Sequence, residues 1–130
     1  MNIGEVAKAS GVNAKLIRHY ESIGIIPKAS RSQSGYREYT EADINILCFV
    51  KRARTLGFSM KDIKKLLGLW RNRTRKSSDV KVLTLTHIKQ LEDKIQALQS
   101  IRNTLVDLAL NCHGDDRPMC PILDDFTKKK

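Results

Sequence analysis

Apolar residues recur every three or four positions over the longest patterned stretch of the chain, from Asp79 to Leu110. Neither Gly nor Pro interrupts this stretch, and the spacing is typical of an amphipathic helix. At 1.5 Å per residue such a helix is about 48 Å long, more than the rest of a small chain can cover on all sides. The apolar positions expected to form one seam are Leu85, Ile88, Leu91, Ile95, Leu98, Ile101, Leu105 and Leu108.

This seam needs a partner. Its spacing is closer to the repeat of about 3.5 residues found in coiled coils than to 3.6, which favours pairing between two copies of the chain. The alternative is an ordinary core helix of a monomer. In a coiled coil, His87 is expected at a coiled-coil position, and the solvated positions include Glu92, Asp93, Lys94 and Arg102.

Two short helices joined by a glycine turn are predicted at the start of the chain. The segment Ile3–Ser10 has an apolar face, Gly11 ends it, and Asn13 can cap a second helix that ends near Gly24. This is the outline of a helix-turn-helix, whose second helix enters the major groove of DNA, although the same outline occurs in proteins that never touch DNA. On the second helix, the candidate DNA contacts are Lys15, Arg18, His19 and Tyr20.

A small β-hairpin is predicted over residues 26–39, with its turn at Ser34 and Gly35. It would form a wing beside the helix-turn-helix, where arginines clamp phosphates and a tyrosine packs on the sugar-phosphate backbone. The alternative is a hairpin whose tyrosines only cover the core. The wing residues expected to contact DNA are Arg31, Tyr36 and Arg37.

Two further helices follow, each opened by a capping pattern. Thr40 precedes Asp43, and Ser59 precedes Asp62, at the three-residue spacing of a capping box. Residues 51–76 then contain ten basic side chains, against Asp62 as the single acid. This excess can extend a DNA footprint as a second wing, and its candidates are Lys51, Arg52, Arg54, Lys61, Lys64 and Lys65.

The net charge of +10 is carried entirely by the first part of the chain. Residues 1–78 contain 16 Lys or Arg against 6 acids, whereas residues 79–130 contain 8 against 8. Such an uneven distribution favours binding to a polyanion, and nucleic acid fits better than a membrane, which would favour one basic amphipathic helix with bulky apolar anchors. The alternative is a basic surface that is only solvated.

The three cysteines point to reduced thiols in the cytoplasm. Their number is odd, and the chain starts without the charged-then-apolar layout of an export signal and contains no apolar run long enough to span a membrane. Cys48, among apolar neighbours, is expected to be a small core residue. Three scattered histidines, without a nucleophile elbow or a glycine-rich phosphate loop, indicate that the chain is not an enzyme.

Cys112 and Cys120 are the candidate metal ligands. Seven residues separate them, a spacing wider than the Cys-x-x-Cys of structural zinc sites, and only His113 nearby could add a third ligand. Two thiolates with few other donors suit a soft monovalent ion, Cu(I), Ag(I) or Au(I), which tolerates two-coordinate binding. Two alternatives use the same residues, namely a zinc site that includes His113 and a redox switch that forms a disulfide.

A buried complex of two thiolates with a monovalent ion has a net charge of −1 and needs positive charge beside it. The N-terminus of the long helix offers free amides and the positive end of its dipole. We expect Ser77 at the start of that helix, and Lys81 in its first turn, to stabilise the metal site. Ser77 can also act as a plain helix cap.

Several segments together resemble the MerR family of bacterial transcription activators, over nearly the whole chain. These are IGEVAKASGV, LIRHYESIGI, SGYREYT and RARTLGFS. The tail, with Cys112 followed by HGDDRPM and then by Cys120-Pro121-Ile122, is similar to the copper-efflux regulator branch of that family. At position 77 this chain has Ser, where relatives that respond to divalent metals carry Cys, and this difference implies a preference for monovalent ions.

The resemblance implies a mainly α-helical homodimer. In it, a winged helix-turn-helix domain with a second helical wing (residues 1–70) and a hinge (71–78) precede the dimerisation helix (79–110), and a metal-binding loop and tail (111–130) follow. The two long helices would form an antiparallel coiled coil, and the partner subunit would supply the helix end at the metal site. Such a dimer binds a double-stranded promoter whose two elements are too widely spaced and, once activated, distorts it so that RNA polymerase can engage both.

Overall fold

The computed structural model describes residues 1–31, 33 and 35–128. The chain divides into two compact units, Met1–Leu83 and Thr84–Lys130, and the boundary between them falls within the longest helix. The described residues form helices and one hairpin in the order α1 Ile3–Ser10, α2 Ala14–Ser22, β1 Ser30–Arg31, β2 Arg37–Glu38, α3 Glu41–Thr55, α4 Met60–Arg71, α5 Ser77–Leu110 and α6 Pro121–Phe126.

The helices of the first unit begin where their capping residues predict. The side chain of Asn13 accepts a hydrogen bond from the N–H of Leu16 at 2.8 Å, and Thr40 and Asp43 form a reciprocal capping box. Ser59 accepts from the N–H three residues later at 3.2 Å and so begins α4. Each bond satisfies an N–H group that the first turn of a helix leaves free, and all three predicted caps are confirmed.

The turn between α1 and α2 depends on Gly11. This residue has φ +73° and its N–H donates to the carbonyl of Ala7 at 2.9 Å, which ends α1 in the left-handed conformation that glycine adopts without strain. The predicted helix, glycine turn and second helix are therefore present in the structure.

The core of the first unit is formed by apolar side chains from α1 to α4 and from the segment that follows α2. Burial of each such side chain contributes about 1.5–3 kcal/mol to stability. The Phe49 and Trp70 rings stack, with centroids 4.8 Å apart and planes inclined by 12°, which adds an aromatic contact between α3 and α4. The largest fully buried side chains are Val6, Ile17, Ile25, Ile26, Leu47, Val50 and Ile63.

The predicted wing is present as the antiparallel pair of β1 and β2. Ser30 faces Glu38 and Arg31 faces Arg37 across the two strands. At the base of the hairpin, the N–H of Tyr39 donates to the carbonyl of Met1 at 2.8 Å, which ties the wing to the start of the chain. Ser34, which the sequence places in the turn, lies outside the described residues.

The prediction that Cys48 is a core residue is wrong. Cys48 is exposed, because the buried positions of α3 are 43, 46, 47, 50 and 53 and position 48 points away from them. His87, predicted at a coiled-coil position, is buried within one chain, with 6% of its surface exposed.

In the second unit, α5 exposes most of its apolar seam. Downstream, α6 lies beside the C-terminal part of α5, and the two helices border a cavity of about 230 Å³ lined by side chains that include Leu105, Leu108 and Phe126. Within the described residues, none of the helices combines the length and apolar character that crossing a membrane requires. The exposed apolar side chains of α5 include Leu85, Ile88, Ile95, Leu98, Ile101 and Leu105.

Candidate metal centre and nucleic-acid interface

The second helix of the helix-turn-helix, α2, has one buried and one exposed face. Ile17 and Tyr20 are buried, and because a helix turns by 100° per residue, positions 15, 18 and 19 point the other way. Lys15, Arg18 and His19 are accordingly exposed, as predicted for a recognition helix. Three donors on one exposed face of a helix are suited to base edges and phosphates in a major groove.

Tyr20 does not belong to this exposed face, contrary to the sequence-based expectation. Only 2% of its surface is exposed, and its hydroxyl accepts a hydrogen bond from Nη1 of Arg54 on α3 at 2.8 Å. The ring therefore packs in the core, where it cannot contact bases. A buried tyrosine usually finds a partner for its hydroxyl, and here that partner is another predicted DNA contact, Arg54.

The wing presents its predicted DNA contacts in different environments. Tyr36 is the most open, with 74% of its surface exposed. Arg31 is also exposed, and its Nη1 donates to the carbonyl of Gly35 at 3.0 Å, which holds the side chain along the turn. Arg37 is only half-buried and lies 3.7 Å from Oε1 of Glu21, so part of its charge is already neutralised within the protein.

Glu21 connects the recognition helix to the wing. Its side chain is 8% exposed, accepts a hydrogen bond from the hydroxyl of Tyr39, and accepts another from the N–H of Ala29 at 3.3 Å. Burial of Tyr39 raises the pKa of its phenol, and the hydrogen bond to Glu21 raises that pKa further, whereas Arg37 lowers it. The carboxylate thus fixes both strands of the wing relative to α2.

Replacing Glu21 with Gln is expected to destabilise the first unit by about 1–3 kcal/mol, because buried donors lose a charged acceptor. The pKa of Tyr39 should also fall, since the hydrogen bond and charge of Glu21 raise it. Urea unfolding and tyrosinate absorbance measure the two effects. Glu41→Gln, at an exposed position of α3, is the matched control. Equal stability of the two variants would show that Glu21 does not anchor the wing.

In the second unit, Cys112 and Cys120 lie on either side of the loop between α5 and α6, and both are partly buried. Cys120 is the residue before Pro121, the first residue of α6, and its side chain makes no capping hydrogen bond. Even so, the backbone N–H of Leu123 lowers the pKa of the Cys120 thiol, against desolvation, which raises it. The N–H of Ile122 and the side chain of Cys112 lower this pKa further. The two thiols are thus within reach of each other.

The loop that brings the two thiols together is ordered by local contacts. Gly114 has φ +64°, which allows a sharp reversal after Cys112. The carboxylate of Asp115 then accepts from Nε of Arg117 at 2.7 Å and from its backbone N–H at 2.9 Å. Such a turn shortens the distance between the two ends of the loop.

The donor set fits a soft, two-coordinate ion. Thiolate sulfur is the ligand that monovalent ions of the copper group prefer, and a lowered pKa makes Cys120 more available in that form. His113, the alternative third ligand, is exposed. Across the part of the chain that the structure describes, no three side chains of His, Cys, Asp or Glu form a group that could hold a metal.

Ser77 and Lys81 lie at the beginning of α5 and are exposed. Ser77 is the first residue of the helix, and Lys81 follows about one turn later. Both belong to the first unit, whereas Cys112 and Cys120 belong to the second.

Sequence reasoning missed Glu21 as a functional residue, although a signal was present. Glu21 is the only acidic residue between Glu5 and Glu38, in a stretch that is otherwise basic. A lone carboxylate among cations is a candidate for a buried ion pair.

The chain matches known protein families over most of its length. Residues 1–69 match the model of the MerR HTH family regulatory proteins, and residues 44–108 match a second model described as MerR, DNA binding. Together these matches include the helix-turn-helix, the wing, α3, α4 and nearly all of α5.

Individual relatives agree with the family models. The chain is 57% identical to heavy metal-dependent transcription regulator 2 of Rhizobium meliloti (strain 1021), over 97% of this chain and 86% of the relative. It is 41% identical to the HTH-type transcriptional regulator CueR of Escherichia coli O6:H1, over 98% of this chain and 94% of the relative.

A solved structure extends the likeness to three dimensions. The transcription regulator PbrR691 from Ralstonia metallidurans CH34, in complex with lead(II), superposes with a TM-score of 0.84 at 30% identity, over 97% of this chain and 98% of that one. This agreement confirms the predicted mainly helical fold with a wing and a long helix. The chain therefore belongs to the MerR family of helix-turn-helix regulatory proteins, and it is a transcription regulator rather than an enzyme.

Proposed function

We propose that this regulator activates transcription from promoter DNA when a soft monovalent metal ion, Cu(I), Ag(I) or Au(I), binds Cys112 and Cys120. The observation that carries the proposal is the position of these two thiols, partly buried and within reach of each other across one ordered loop. Two relatives support a metal response in general, since one is named a heavy metal-dependent regulator and another was crystallised with lead(II).

Preference for a monovalent ion follows from the charge and number of the ligands. Cys112 and Cys120 would hold such an ion through their two sulfurs, whereas Zn(II) prefers about four ligands. The complex of two thiolates and one monovalent ion would have a net charge of −1. We propose that the N-terminus of α5 in the partner subunit, with Ser77 and Lys81, supplies the positive groups that stabilise this charge. Ser77 provides no third thiolate, which further disfavours divalent ions.

The protein acts as a homodimer in this proposal. The seam of α5 leaves large apolar side chains more than 40% exposed, among them Leu85, Ile88, Ile95 and Leu98. A contiguous apolar strip of this kind is typical of an interface, and an antiparallel coiled coil of two α5 helices would cover it. The pairing would also bring the start of α5 of one subunit toward the metal loop of the other.

Activation then requires that the conformation of the loop and of α6 differs between the resting state and the activating state of the protein. Because α6 begins directly after Cys120 and lies beside Leu105 and Leu108 of α5, ordering of the thiols would fix α6 on the long helix. A ligand shifts an equilibrium only by its differential affinity for two states, so the thiols must be better positioned in the activating state. The two DNA-binding units would then distort the promoter for RNA polymerase, in the cytoplasm.

The metal preference is tested by transcription in vitro from a promoter recovered by selection for binding. Cu(I), Ag(I), Au(I), Zn(II) and Hg(II) are each titrated, with the free ion buffered. We expect induction by the monovalent ions at free concentrations at least about a hundredfold below those needed for Zn(II), because two ligands leave a divalent ion incompletely coordinated. Induction by Zn(II) at the same free concentration as Cu(I) would contradict the proposal.

A redox switch is the second candidate, and the interaction between the thiols supports it as well. A Cys120 thiolate beside the Cys112 thiol could form a disulfide under a two-electron oxidant such as peroxide, which takes up the two electrons, while the S–H proton of Cys112 is released. Alkylation of free thiols after mild peroxide, measured alongside the metal titration, separates the two functions. A switch of this kind would induce transcription on oxidation without added metal.

A further inference from the structure

Met119 exposes its side chain directly beside one of the two candidate thiols. Its exposed fraction of 82% is the largest among the exposed large apolar side chains of the described residues. The residue lies in the loop between α5 and α6 and immediately precedes Cys120. Because so little of the side chain is covered, packing of Met119 contributes little to the stability of the fold.

The sulfur atoms of the second unit are concentrated in this loop. The chain contains three cysteines and three methionines, and within Thr84–Lys130 these are Cys112, Met119 and Cys120. Both cysteines are partly buried, and the side chain of Cys112 forms a hydrogen bond with that of Cys120. Three soft donors therefore lie within nine consecutive residues.

The local backbone places Met119 on the outer side of the thiol pair. Cys120 is extended, with φ −144° and ψ 108°, and neighbouring side chains of an extended backbone point in opposite directions. The side chain of Cys120 contacts Cys112, so the thioether of Met119 faces solvent, in agreement with its exposure. A methionine side chain has three rotatable bonds, which allow its sulfur to turn back toward the thiols.

A thioether differs from a thiolate in charge but resembles it in softness. Both kinds of sulfur favour Cu(I) over harder divalent ions, and a thioether binds a metal without first losing a proton, as a thiol must. A third thiolate would change the net charge of the complex from −1 to −2, whereas Met119 would leave it at −1. Met119 therefore offers the loop a further soft donor without additional negative charge.

We propose that the thioether sulfur of Met119 is a third donor to the metal ion, in addition to the sulfurs of Cys112 and Cys120. The inference rests on the proposed function, since it adds a residue to the same metal site. Met119 would bind from the side of the loop that faces solvent. It would favour Cu(I), Ag(I) and Au(I) over Zn(II), for which thiolate, imidazole and carboxylate are the usual donors.

His113 provides a matched control at the other end of the loop. It adjoins Cys112 as Met119 adjoins Cys120, and its side chain is also exposed. Its imidazole is a ligand that suits Zn(II) as well as copper. Met119→Leu and His113→Leu therefore each remove one exposed donor next to one thiol, and a general disturbance of the loop should affect both variants alike.

The first test is a competition titration with Ag(I) on the full chain, with Cys48→Ser in every variant so that only the thiols of the loop remain. We expect Met119→Leu to lower the Ag(I) affinity about tenfold, the lower end of the effects seen when a metal site loses a supporting residue. His113→Leu should change the Ag(I) affinity much less, and the Zn(II) affinity of Met119→Leu should equal that of the parent. An Ag(I) affinity of Met119→Leu no lower than that of His113→Leu would overturn the proposal.

The second test observes the donor directly, by NMR of the full chain labelled with carbon-13 at the methionine methyl groups. Met1, Met60 and Met119 give three signals, and the first two are internal references because they belong to the first unit. One equivalent of Ag(I) should shift the Met119 signal and leave the other two in place. An unmoved signal in protein saturated with Ag(I) would contradict the proposal. So would a shift without any loss of Ag(I) affinity in Met119→Leu, since it would report only a movement of the loop.

The outcomes separate this proposal from the proposed function. Neither measurement uses DNA, so both test the third donor even if the protein shows no metal-dependent transcription. A Met119 shift and the expected loss of affinity, in a regulator that does not respond to metal, would keep the third donor and refute the metal-dependent function. Induction by Ag(I) with neither effect would keep that function and refute the third donor, and a chain that binds no Ag(I) would overturn both.

Discussion

Replacing Cys112 or Cys120 with Ser is expected to abolish the response to soft monovalent ions while DNA binding is retained. Each substitution removes one of the two sulfurs that we propose as ligands, and a hydroxyl is a poor ligand for a soft ion. Substitutions of residues that support metal ligands without binding the metal typically lower the metal affinity by about 10–100-fold. Loss of a ligand itself should therefore lower the metal affinity by more than about a hundredfold. Competition titration with Cu(I) and transcription in vitro measure the effect.

Cys48→Ser is the matched control for this experiment. It removes the third thiol of the chain from an exposed position on α3, in the DNA-binding unit. Its metal affinity and induction should equal those of the wild type. Full induction by either Cys112→Ser or Cys120→Ser would reject the assignment of the ligands, and loss of DNA binding in these variants would mean that the tail supports the fold.

Leu98→Lys is expected to dissociate the homodimer. Leu98 is 65% exposed within one chain, so the substitution leaves the fold of the subunit intact, but an antiparallel seam would bury the new charge without a partner. An uncompensated buried charge costs about 3–5 kcal/mol, and the dissociation constant should rise by at least about a hundredfold. Sedimentation equilibrium over a range of protein concentrations provides the measurement.

Gln99→Lys, the adjacent position, introduces the same charge about 100° further around the helix. Gln99 is exposed and does not belong to the apolar seam, so this variant should remain dimeric. If both variants associate as tightly as the wild type, α5 does not form the interface and its apolar side chains must be covered in another way.

The features that the sequence predicted best are helix caps and turns, whose conformation depends on only a few neighbouring residues. The caps at Asn13, Thr40 and Ser59 each depend on one side chain and a backbone N–H three residues away, and the turn at Gly11 depends on one dihedral angle. Such features hardly depend on tertiary context, and therefore the helix boundaries of the first unit follow from the sequence almost directly.

The errors arose where the direction of a side chain depends on neighbouring elements. Cys48 and Tyr20 are both in correctly predicted helices, but spacing alone did not show which stripe of each helix faces the core. For Tyr20, an aromatic ring with a polar end suits either a DNA interface or a core with a partner such as Arg54. Only the tertiary packing around α2, which includes the hydrogen bond from Arg54 to Tyr20, decides between these environments.

The candidate metal site was predictable only in part. The chemistry of Cys112 and Cys120 follows from their residue type and the scarcity of other donors, but their proximity depends on a reversal at Gly114 and the Asp115–Arg117 contact. The contribution of Ser77 is even harder to predict from the sequence, because in our proposal this residue belongs to a second chain. No pattern within one sequence reports a distance between two copies.

The stacked pair of Phe49 and Trp70 makes the first unit spectroscopically distinct. Trp70 is the only tryptophan, and all three tyrosines also precede Leu83, so Thr84–Lys130 lacks both fluorophores. Indole emission during heating therefore monitors Met1–Leu83 without any label, whereas far-ultraviolet dichroism reports the helices of both units, including the 34 residues of α5. Coincident melting curves from the two signals would indicate that the two parts of the chain unfold cooperatively, and separate curves that they do not.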